Sequence, residues 1–150
     1  MNNLFDRTDT AAIIARMNKL TPESQRLWGT MDVGQMMAHC NASLETAMGL
    51  NSPKALPFYL RALGFLLKKT ILGTKPMAKN MGTDKLYIFT DDRNLEEERV
   101  KVLKHIVGFF EGGAEKCTKQ PQVFFGKMEP SEWAVMQWKH FDHHLRQFGV

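Results

Sequence analysis

Apolar residues recur along the chain at intervals of three and four residues, which is the spacing of amphipathic α-helices. Four long segments and one shorter segment at the start carry this pattern. We predict helices from Asp9 or Thr10 to Lys19, from Val33 to Met48, from Leu56 to Leu72, from Leu95 to about Phe110, and from Pro130 toward the C-terminus. Because each helix has one apolar face to bury, the pattern predicts an all-α protein, a helical bundle.

Residues near the helix ends favour these boundaries. Asp32 and Gln35 have the spacing of a capping box, and Gly49 follows the last residue of the second helix. Thr21-Pro22 indicates a short helical turn that ends near Gly29. The third helix is expected to turn its apolar residues inward, namely Tyr59, Leu60, Leu63, Leu66, Leu67 and Ile71. The fourth helix is expected to bury Leu103, Ile106, Val107 and Phe110 and to leave His105 on its solvent face.

A long connection, Gly73 to Asn94, joins the third and fourth predicted helices. Glycine, proline and polar residues dominate it, and an extended piece is predicted at Lys85 to Thr90. Connections of this length inside a compact domain usually cross the bundle or cover a site. The sequence therefore predicts a long crossover between helices 3 and 4.

Composition narrows the class of protein. A chain of 150 residues is expected to form a single domain, residues 1–150. Two cysteines, Cys40 and Cys117, make no disulfide framework, so a cytoplasmic location is expected. The longest apolar run, near Leu63 to Leu67, is too short to cross a bilayer, and no basic and aromatic module typical of nucleic-acid binding is present. We expect neither a membrane nor a nucleic acid as a partner.

The net charge of +4 is unevenly distributed. Between Glu45 and Asp84 the chain has no acidic residue but six basic ones: Lys54, Arg61, Lys68, Lys69, Lys75 and Lys79. An acidic run from Asp91 to Glu98 follows soon after. Two interpretations stay open. These residues form two solvated faces that partly neutralise each other, or the basic ones form a rim that attracts anions.

Three of the five histidines lie within five residues of the last helix: His140, His143 and His144. At about 100° per residue, His140 and His144 lie only about 40° apart and one turn apart, on the side of the helix that carries Trp133. His143 points away from that side. Two imidazoles on one helical face make half of a metal site, although a buried histidine is more often a hydrogen-bonded core residue. A third ligand elsewhere in the chain decides between these interpretations.

His39 is the candidate for that third ligand. It lies at the border of the apolar stripe of the second helix, where a side chain can reach a crevice between helices. Three imidazoles would leave one coordination position for water or substrate, as in catalytic metal sites. Zn²⁺, Ni²⁺, Fe²⁺ and Cu²⁺ all accept imidazole ligands, so the metal is a divalent transition metal of unspecified identity. Three glutamines are candidates to fix the ring orientations by hydrogen bonds: Gln35, Gln137 and Gln147.

Two motifs carry a resemblance to a known family. One is Trp28-Gly29-Thr30-Met31 followed by Gln35-Met36-Met37-Ala38-His39, and the other is the C-terminal stretch from Lys139 to Phe148. Together they resemble the DinB-like superfamily, and most closely one of its uncharacterised branches of unknown function. The resemblance covers most of the chain, in the same order of helices, and the C-terminal motif is its most specific part.

The resemblance implies an up-down-down-up four-helix bundle that binds a metal through three histidines, one on the second bundle helix and a His-x-x-x-His pair on the last. These positions correspond to His39, His140 and His144. Some members of the superfamily are metal-dependent thiol S-transferases that use low-molecular-weight thiols, and one is a thiol-dependent isomerase. Dimers are common among them, so the resemblance also implies a homodimer.

Two hypotheses for function follow from these residues. In the first, the protein is a metal-dependent enzyme that activates a thiol or a water for attack on an electrophilic small molecule, as an S-transferase or a hydrolase. Arg61, Lys68 or Lys69 would then attract an anionic thiol or substrate. In the second, the protein is a non-catalytic binding or assembly module whose metal is structural or vestigial. No clear general acid or base accompanies the histidines in the sequence, which favours the second hypothesis.

Overall fold

Five α-helices and no β-strand make up the computed structural model, which describes residues 1–150. The helices are α1 (Arg7–Met17), α2 (Val33–Ala47), α3 (Phe58–Ile71), α4 (Leu95–Gly112) and α5 (Pro130–Gln147). Two short 3₁₀-helices, Lys85–Tyr87 and Gly113–Lys116, lie outside them. The prediction of an all-helical protein is confirmed, and so is the number of α-helices.

Capping residues explain where the helices begin. The Asp32 carboxylate accepts a hydrogen bond from the Gln35 backbone N–H, and the Gln35 side chain accepts one from the Asp32 N–H, as the predicted capping box requires. Asn94 caps α4 in a similar way. Helix α1 begins at Arg7, two or three residues earlier than predicted, because Asp6 is its N-cap, and it ends at Met17 instead of Lys19. In each case a polar side chain satisfies backbone N–H groups that have no partner within the helix.

Helices α1, α2, α4 and α5 pack together around the hydrophobic core. Helix α2 contacts both α4 and α5, and α1 contacts α4 and α5. The largest fully buried side chains come from all four helices and from the N-terminal segment, and they include Leu4, Ile13, Met36, Leu44, Phe109, Trp133 and Phe141. Almost all of α2 is buried, so this helix is the centre of the packed body and any polar side chain on it must find a partner.

Helix α3 departs from the prediction. Its backbone does not pack closely against any other α-helix, and the side chains that were expected to face inward are exposed: Tyr59, Leu63, Leu66 and Leu67. Only Gly64 is buried, where the backbone of Phe124 lies so close that any side chain at this position would collide with it. The amphipathic pattern indicated an apolar face correctly, but it could not indicate what covers that face.

Two shorter predictions are also wrong. Residues 21–29 form turns and bends instead of a helical turn, and Arg99 binds the carbonyl oxygen of Leu20 just before them. The segment predicted as extended contains the 3₁₀-helix Lys85–Tyr87, because the Asp84 side chain accepts a hydrogen bond from the Leu86 N–H and closes the turn. On α4, Val107 is exposed although it was expected to be buried, and His105 is half-buried beside Asn41 instead of lying on the solvent face.

The connection between α3 and α4 is fastened to the helical body at several points. The ammonium group of Lys139 donates to the carbonyl oxygens of Gly73 and Lys75. Further along, the Tyr87 hydroxyl lies 2.7 Å from the Thr46 hydroxyl, and the Gln35 amide donates to the carbonyl oxygen of Asp91. The connection therefore crosses α2 and brings Tyr87 beside His39. None of the five helices combines the length and the apolar character needed to span a bilayer.

Candidate metal centre

His39 of α2 and His140 and His144 of α5 meet where these two helices pack together. One nitrogen of each imidazole lies within 4.8 Å of the other two. The closest pair is Nε2 of His39 and Nε2 of His140, which are 2.9 Å apart. His39 and His144 are buried and His140 is half-buried, so the cluster approaches the surface at His140.

The backbone carbonyl of Tyr87 orients His39. Nδ1 of His39 lies 2.9 Å from the Tyr87 carbonyl oxygen. Because a carbonyl oxygen can only accept, Nδ1 carries the proton and Nε2 has a free lone pair. That lone pair points toward His140, in the tautomer and orientation that a metal ligand requires.

A second relay of hydrogen bonds orients His144. The Gln147 amide nitrogen donates to the Trp28 carbonyl oxygen at 2.7 Å, and this contact fixes which end of the amide faces His144. The Gln147 Oε1 then accepts a hydrogen bond from Nδ1 of His144 at 2.8 Å. Nε2 of His144 is therefore also left with a free lone pair, and the His144 ring lies 4.6 Å and 4.7 Å, between centroids, from the rings of His39 and His140.

Gly29 leaves room for this relay. Its φ is +77°, a conformation that L side chains rarely adopt, and a Cβ at this position would collide with the Gln147 amide nitrogen. The turn that contains Trp28 can thus approach α5 closely enough for its carbonyl to accept from Gln147. The Trp28-Gly29 pair of the first sequence motif has a structural role next to the histidine cluster.

His140 is the least constrained of the three imidazoles. Its Nδ1 is buried and has no hydrogen-bond partner in the protein. Its Nε2 faces the lone pair of His39, so this nitrogen must donate whenever no cation lies between them.

Burial keeps the three imidazoles neutral. It is the main cause that lowers the pKa of His39, that holds the pKa of His140 well below its usual value, and that lowers the pKa of His144 to about 3. The mutual repulsion of the imidazolium forms lowers the pKa of His140 and of His144 further. A neutral imidazole is the form that binds a metal, so the cluster would not have to lose protons at neutral pH before binding one.

The other predicted residues lie at varying distances from this cluster. Gln35 bonds to Asp32 and Asp91, and the Gln137 amide bonds to Ser43, so neither hydrogen-bonds to a histidine. His143 is half-buried, and its ring contacts those of Trp28 and His144 at centroid distances of 5.9 and 4.9 Å. Cys40 is fully buried, and burial raises the pKa of its thiol, so it is not a candidate nucleophile.

Lys68 is engaged away from the histidines. Its ammonium group forms a 2.8 Å ion pair with Glu132 at the start of α5 and donates to the Lys127 carbonyl oxygen. Asp142, the carboxylate nearest to the histidines in the sequence, is bound by Arg16 and Arg146. No carboxylate is among the hydrogen-bond partners of His39, His140 or His144.

Sequence reasoning missed the two carbonyl groups that complete the cluster, those of Tyr87 and Trp28. Backbone carbonyls have no sequence signature, since every residue carries one. The available signals were indirect: the length of the connection that contains Tyr87, and the glycine beside Trp28.

The geometry fits one metal ion. Two nitrogens bound to a single tetrahedral zinc ion at about 2.0–2.1 Å from it lie about 3.3 Å apart. The observed spacings, from 2.9 Å to at most 4.8 Å, bracket this value. The rings of His39 and His144 each keep a free Nε2 lone pair. Three neutral nitrogen donors suit Zn²⁺, Ni²⁺ and Fe²⁺ alike.

The sequence comparison adds the family. Residues 2–149 match the family described as "Protein of unknown function (DUF1569)". The chain belongs to this family. The match spans both sequence motifs and all three histidines of the cluster. No curated protein and no solved structure matches the chain.

Proposed function

We propose that this DUF1569 protein binds one divalent transition metal through Nε2 of His39, His140 and His144. One observation carries the proposal. The rings of His39 and His144 each donate from Nδ1 to an oxygen outside the cluster, which leaves their Nε2 lone pairs free, and the three rings lie within 4.8 Å of one another between centroids. Imidazoles that serve only as core residues do not need their free lone pairs directed toward one another.

The favoured activity is that of a metal-dependent enzyme acting on a thiol or on water, of the S-transferase or hydrolase type. Three protein ligands leave a fourth coordination position for a small molecule. A divalent ion bound here would lower the pKa of a coordinated water to about 7, or deprotonate a coordinated thiol outright. A low-molecular-weight thiol or another small electrophilic or hydrolysable molecule is the proposed substrate.

The chain's own contribution is to hold and orient the ligands. Tyr87 and Gln147 fix the rings of His39 and His144 through hydrogen bonds, and burial keeps these imidazoles neutral. No carboxylate hydrogen-bonds to the three histidines. Activation of the nucleophile would depend on the cation.

A non-catalytic module with a structural metal is the second candidate function. The observation that favours it is burial: His39 and His144 expose only 4% and 7% of their surface. A metal enclosed to this extent would fasten α2 to α5 and contribute directly to folding. The two candidates differ in whether an added small molecule reaches the metal.

We also propose the superfamily, the bundle topology, the cellular location and the oligomeric state of this protein. Membership of the DinB-like superfamily is supported by the order of the three histidines, one on α2 and two on α5. The packed body of α1, α2, α4 and α5 supports a four-helix bundle, and an experimental structure tests the up-down-down-up direction of its helices. Both cysteines are free thiols, which supports a cytoplasmic location, and fractionation of cells tests it. A homodimer is tested by measuring the molecular mass in solution.

Metal analysis is the direct test of the ligand set. The protein should be purified without a histidine tag or chelator, and its metal measured by inductively coupled plasma mass spectrometry. We expect one metal per chain in the wild type and a loss of at least about 90% in His39→Ala, His140→Ala and His144→Ala. His143→Ala is the matched control, because it removes a neighbouring imidazole that is outside the cluster. Retention of metal by one of the three variants would remove that residue from the ligand set.

Activity is tested with cellular thiols and generic electrophiles. Wild type should accelerate thiol addition, should lose this activity on treatment with a chelator, and should regain it with added metal. His144→Ala should have the rate of the uncatalysed reaction, whereas His143→Ala should retain activity. Equal rates for the wild type and His144→Ala would exclude thiol transfer. If ester or amide substrates also fail while metal is bound, the structural-metal candidate is favoured.

A further inference from the structure

Helix α3 presents a broad apolar surface to solvent. Six of its large apolar side chains are exposed. Five of them lie together, Phe58 (83%), Tyr59 (61%), Leu63 (47%), Phe65 (65%) and Leu66 (74%), and Leu67 (38%) lies at their edge. At about 100° per residue the five positions and Ala62 cover an arc of about 160°. We call this arc the α3 face. Ordinary monomers scatter exposed apolar residues, and a contiguous patch of this kind marks an interaction site.

The opposite side of α3 is already in contact with the protein. Gly64 lies against the Phe124 backbone, and Lys68 binds Glu132 and the Lys127 carbonyl oxygen. These contacts hold α3 with its apolar arc outward. The α3 face therefore cannot be covered by a small rotation of the helix, because that would break the Lys68 ion pair and force Gly64 away from Phe124.

We infer that the α3 face is the contact surface between two copies of this chain, packed as an antiparallel pair of α3 helices about a twofold axis. The inference concerns a surface separate from the histidine cluster and does not depend on metal binding. Three properties of the α3 face lead to it: its area, its shape and its charge.

The area is of the size that a dimer needs. With about 150–250 Å² for each aromatic side chain and somewhat less for each leucine, the exposures above correspond to on the order of 600 Å² of accessible apolar surface. A standard interface buries about 800 Å² on each partner, of which the core is apolar and the rim polar. The α3 face with its polar border therefore matches one side of such an interface.

The shape favours another helix as the occupant. Ala62 is a small residue in the middle of the arc, between Tyr59 and Leu66. A small residue flanked by large ones at positions three and four away forms a groove into which the ridge of a second helix packs at about 8–10 Å. A twofold axis near this point makes the contact self-complementary, as in most homodimers.

The number and placement of the cations on α3 fit a second copy better than an anionic membrane, even though the like charges of two copies repel each other. Only three cations lie on α3, and Lys68 is paired with Glu132. Lys69 is the one cation within the arc, and in an antiparallel pair centred between Ala62 and Leu66 it would lie over Tyr59 of the second copy, where a cation–π contact stabilises it. A helix that binds anionic lipid usually carries many Lys and Arg residues on its polar face. On α3, Lys68 is paired and Lys69 lies within the apolar arc, which leaves Arg61 alone on the polar side.

The test is the mass in solution of the full chain and of two matched variants. Leu66→Glu places a charge in the arc, and Val100→Glu places the same charge at an exposed apolar position of α4 (67% exposed). We expect sedimentation equilibrium to give twice 17.2 kDa for the wild type and Val100→Glu. For Leu66→Glu we expect the dissociation constant to rise by about 100-fold or more. Circular dichroism should show that both variants retain helix.

A monomeric wild type at about 100 μM, or a dimer that Leu66→Glu leaves intact, would overturn the inference. Salt and lipid distinguish the other occupants. The dimer should persist or tighten at high salt, because the bordering cations of the two copies repel each other. Binding of a monomeric wild type to phosphatidylglycerol vesicles, abolished by Leu66→Glu and by salt, would replace the dimer with a lipid surface.

Cross-linking gives a second measurement that does not disturb the apolar arc. With a short bis-maleimide cross-linker Ala62→Cys should form a covalent dimer, because this position lies within one helical turn of the twofold axis in each copy, whereas Val100→Cys should not. Both native cysteines are buried, so we expect the wild-type chain to show little cross-linking under the same conditions. Equal cross-linking of the two variants would contradict the placement of the axis.

Discussion

The backbone carbonyl of Tyr87 accepts a hydrogen bond from Nδ1 of His39 at 2.9 Å, although the two residues are 48 positions apart. The contact joins the buried helix α2 to the long connection between α3 and α4. The tautomer of His39 thus depends on a loop, which the Tyr87 hydroxyl fastens to Thr46 on the same helix. This loop is a part of the candidate metal centre.

The Tyr87 hydroxyl should affect metal affinity indirectly. Tyr87→Phe removes the hydrogen bond to Thr46 but keeps the aromatic ring and the carbonyl. The 3₁₀-helix is then held less firmly against α2, so its carbonyl orients the His39 ring less tightly. We expect zinc affinity to fall by up to about 10-fold, the lower end of the effect of residues that orient ligands. Tyr59→Phe is the control, since Tyr59 is the only other tyrosine and is exposed on α3. Competition with a chromophoric chelator measures both affinities, and equal losses would contradict the role of Tyr87.

Two buried glutamines of α5 should behave differently. Gln147→Leu removes the acceptor of His144 and the donor to Trp28, so we expect zinc affinity to fall by about 10–100-fold. Gln137→Leu breaks bonds to Ser43 instead. It should lower the free energy of unfolding by about 1–3 kcal/mol and leave zinc affinity within about threefold. Isothermal titration with zinc and urea unfolding separate the two effects. A larger loss of zinc affinity in Gln137→Leu would mean that Gln137 supports the ligands.

Gly29 offers a test of the close approach between the Trp28 turn and Gln147. Gly29→Ala introduces a methyl group that meets the Gln147 amide, in addition to the strain of a positive φ. Gly126→Ala has a nearly identical φ of +73° but open space around its Cβ. We expect both variants to lose stability through strain, by about 1 kcal/mol, and only Gly29→Ala to lose zinc affinity as well. Similar zinc affinities would indicate that the Trp28 turn can move without disturbing His144.

The metal-free protein should lose stability as the solution becomes acidic. The imidazoles of His39, His140 and His144 have lowered pKa values in the folded state, mainly through burial, whereas in the unfolded chain they titrate near 6.5. Below about pH 6.5 the unfolded state therefore binds more protons than the folded state. Each such imidazole then costs up to about 1.4 kcal/mol of unfolding free energy per pH unit, until its folded-state pKa is reached.

Urea unfolding at pH 7.0 and at pH 5.5, with a chelator present, measures this dependence. His144→Gln should reduce the loss of unfolding free energy between the two pH values by about 1.2 kcal/mol, because the pKa of His144 is lowered to about 3 in the folded state and its imidazole takes up a proton in this range only when the chain is unfolded. A stability that does not change between the two pH values would show that the imidazoles are accessible to protons in the folded protein.

The convergence of the histidines could be predicted from the sequence because both helices involved are regular. Once α2 and α5 were assigned, the helical period fixed which side of each helix His39, His140 and His144 occupy. Contacts made by irregular segments could not be predicted in this way. The Tyr87 carbonyl reaches His39 only because of a 3₁₀-turn capped by Asp84, and that segment was predicted to be extended.

Helix α3 shows a different reason for failure. Its apolar periodicity is genuine, and it predicted the existence and the approximate ends of the helix. Apolar periodicity predicts that one face of a helix is buried, but it does not identify the surface that covers this face. The prediction that Tyr59, Leu63 and Leu66 pack inward assumed that the cover is another part of the same chain.

X-ray absorption at the zinc edge tests the central claim most directly. The untagged protein should be loaded with one equivalent of zinc, and the fine structure compared with that of His143→Ala and His140→Ala. The account predicts three imidazole nitrogens at about 2.0–2.1 Å and one further light ligand, for the wild type and for His143→Ala, with one imidazole fewer in His140→Ala. Fewer than three imidazoles in the wild type, or a spectrum that His140→Ala leaves unchanged, would contradict it.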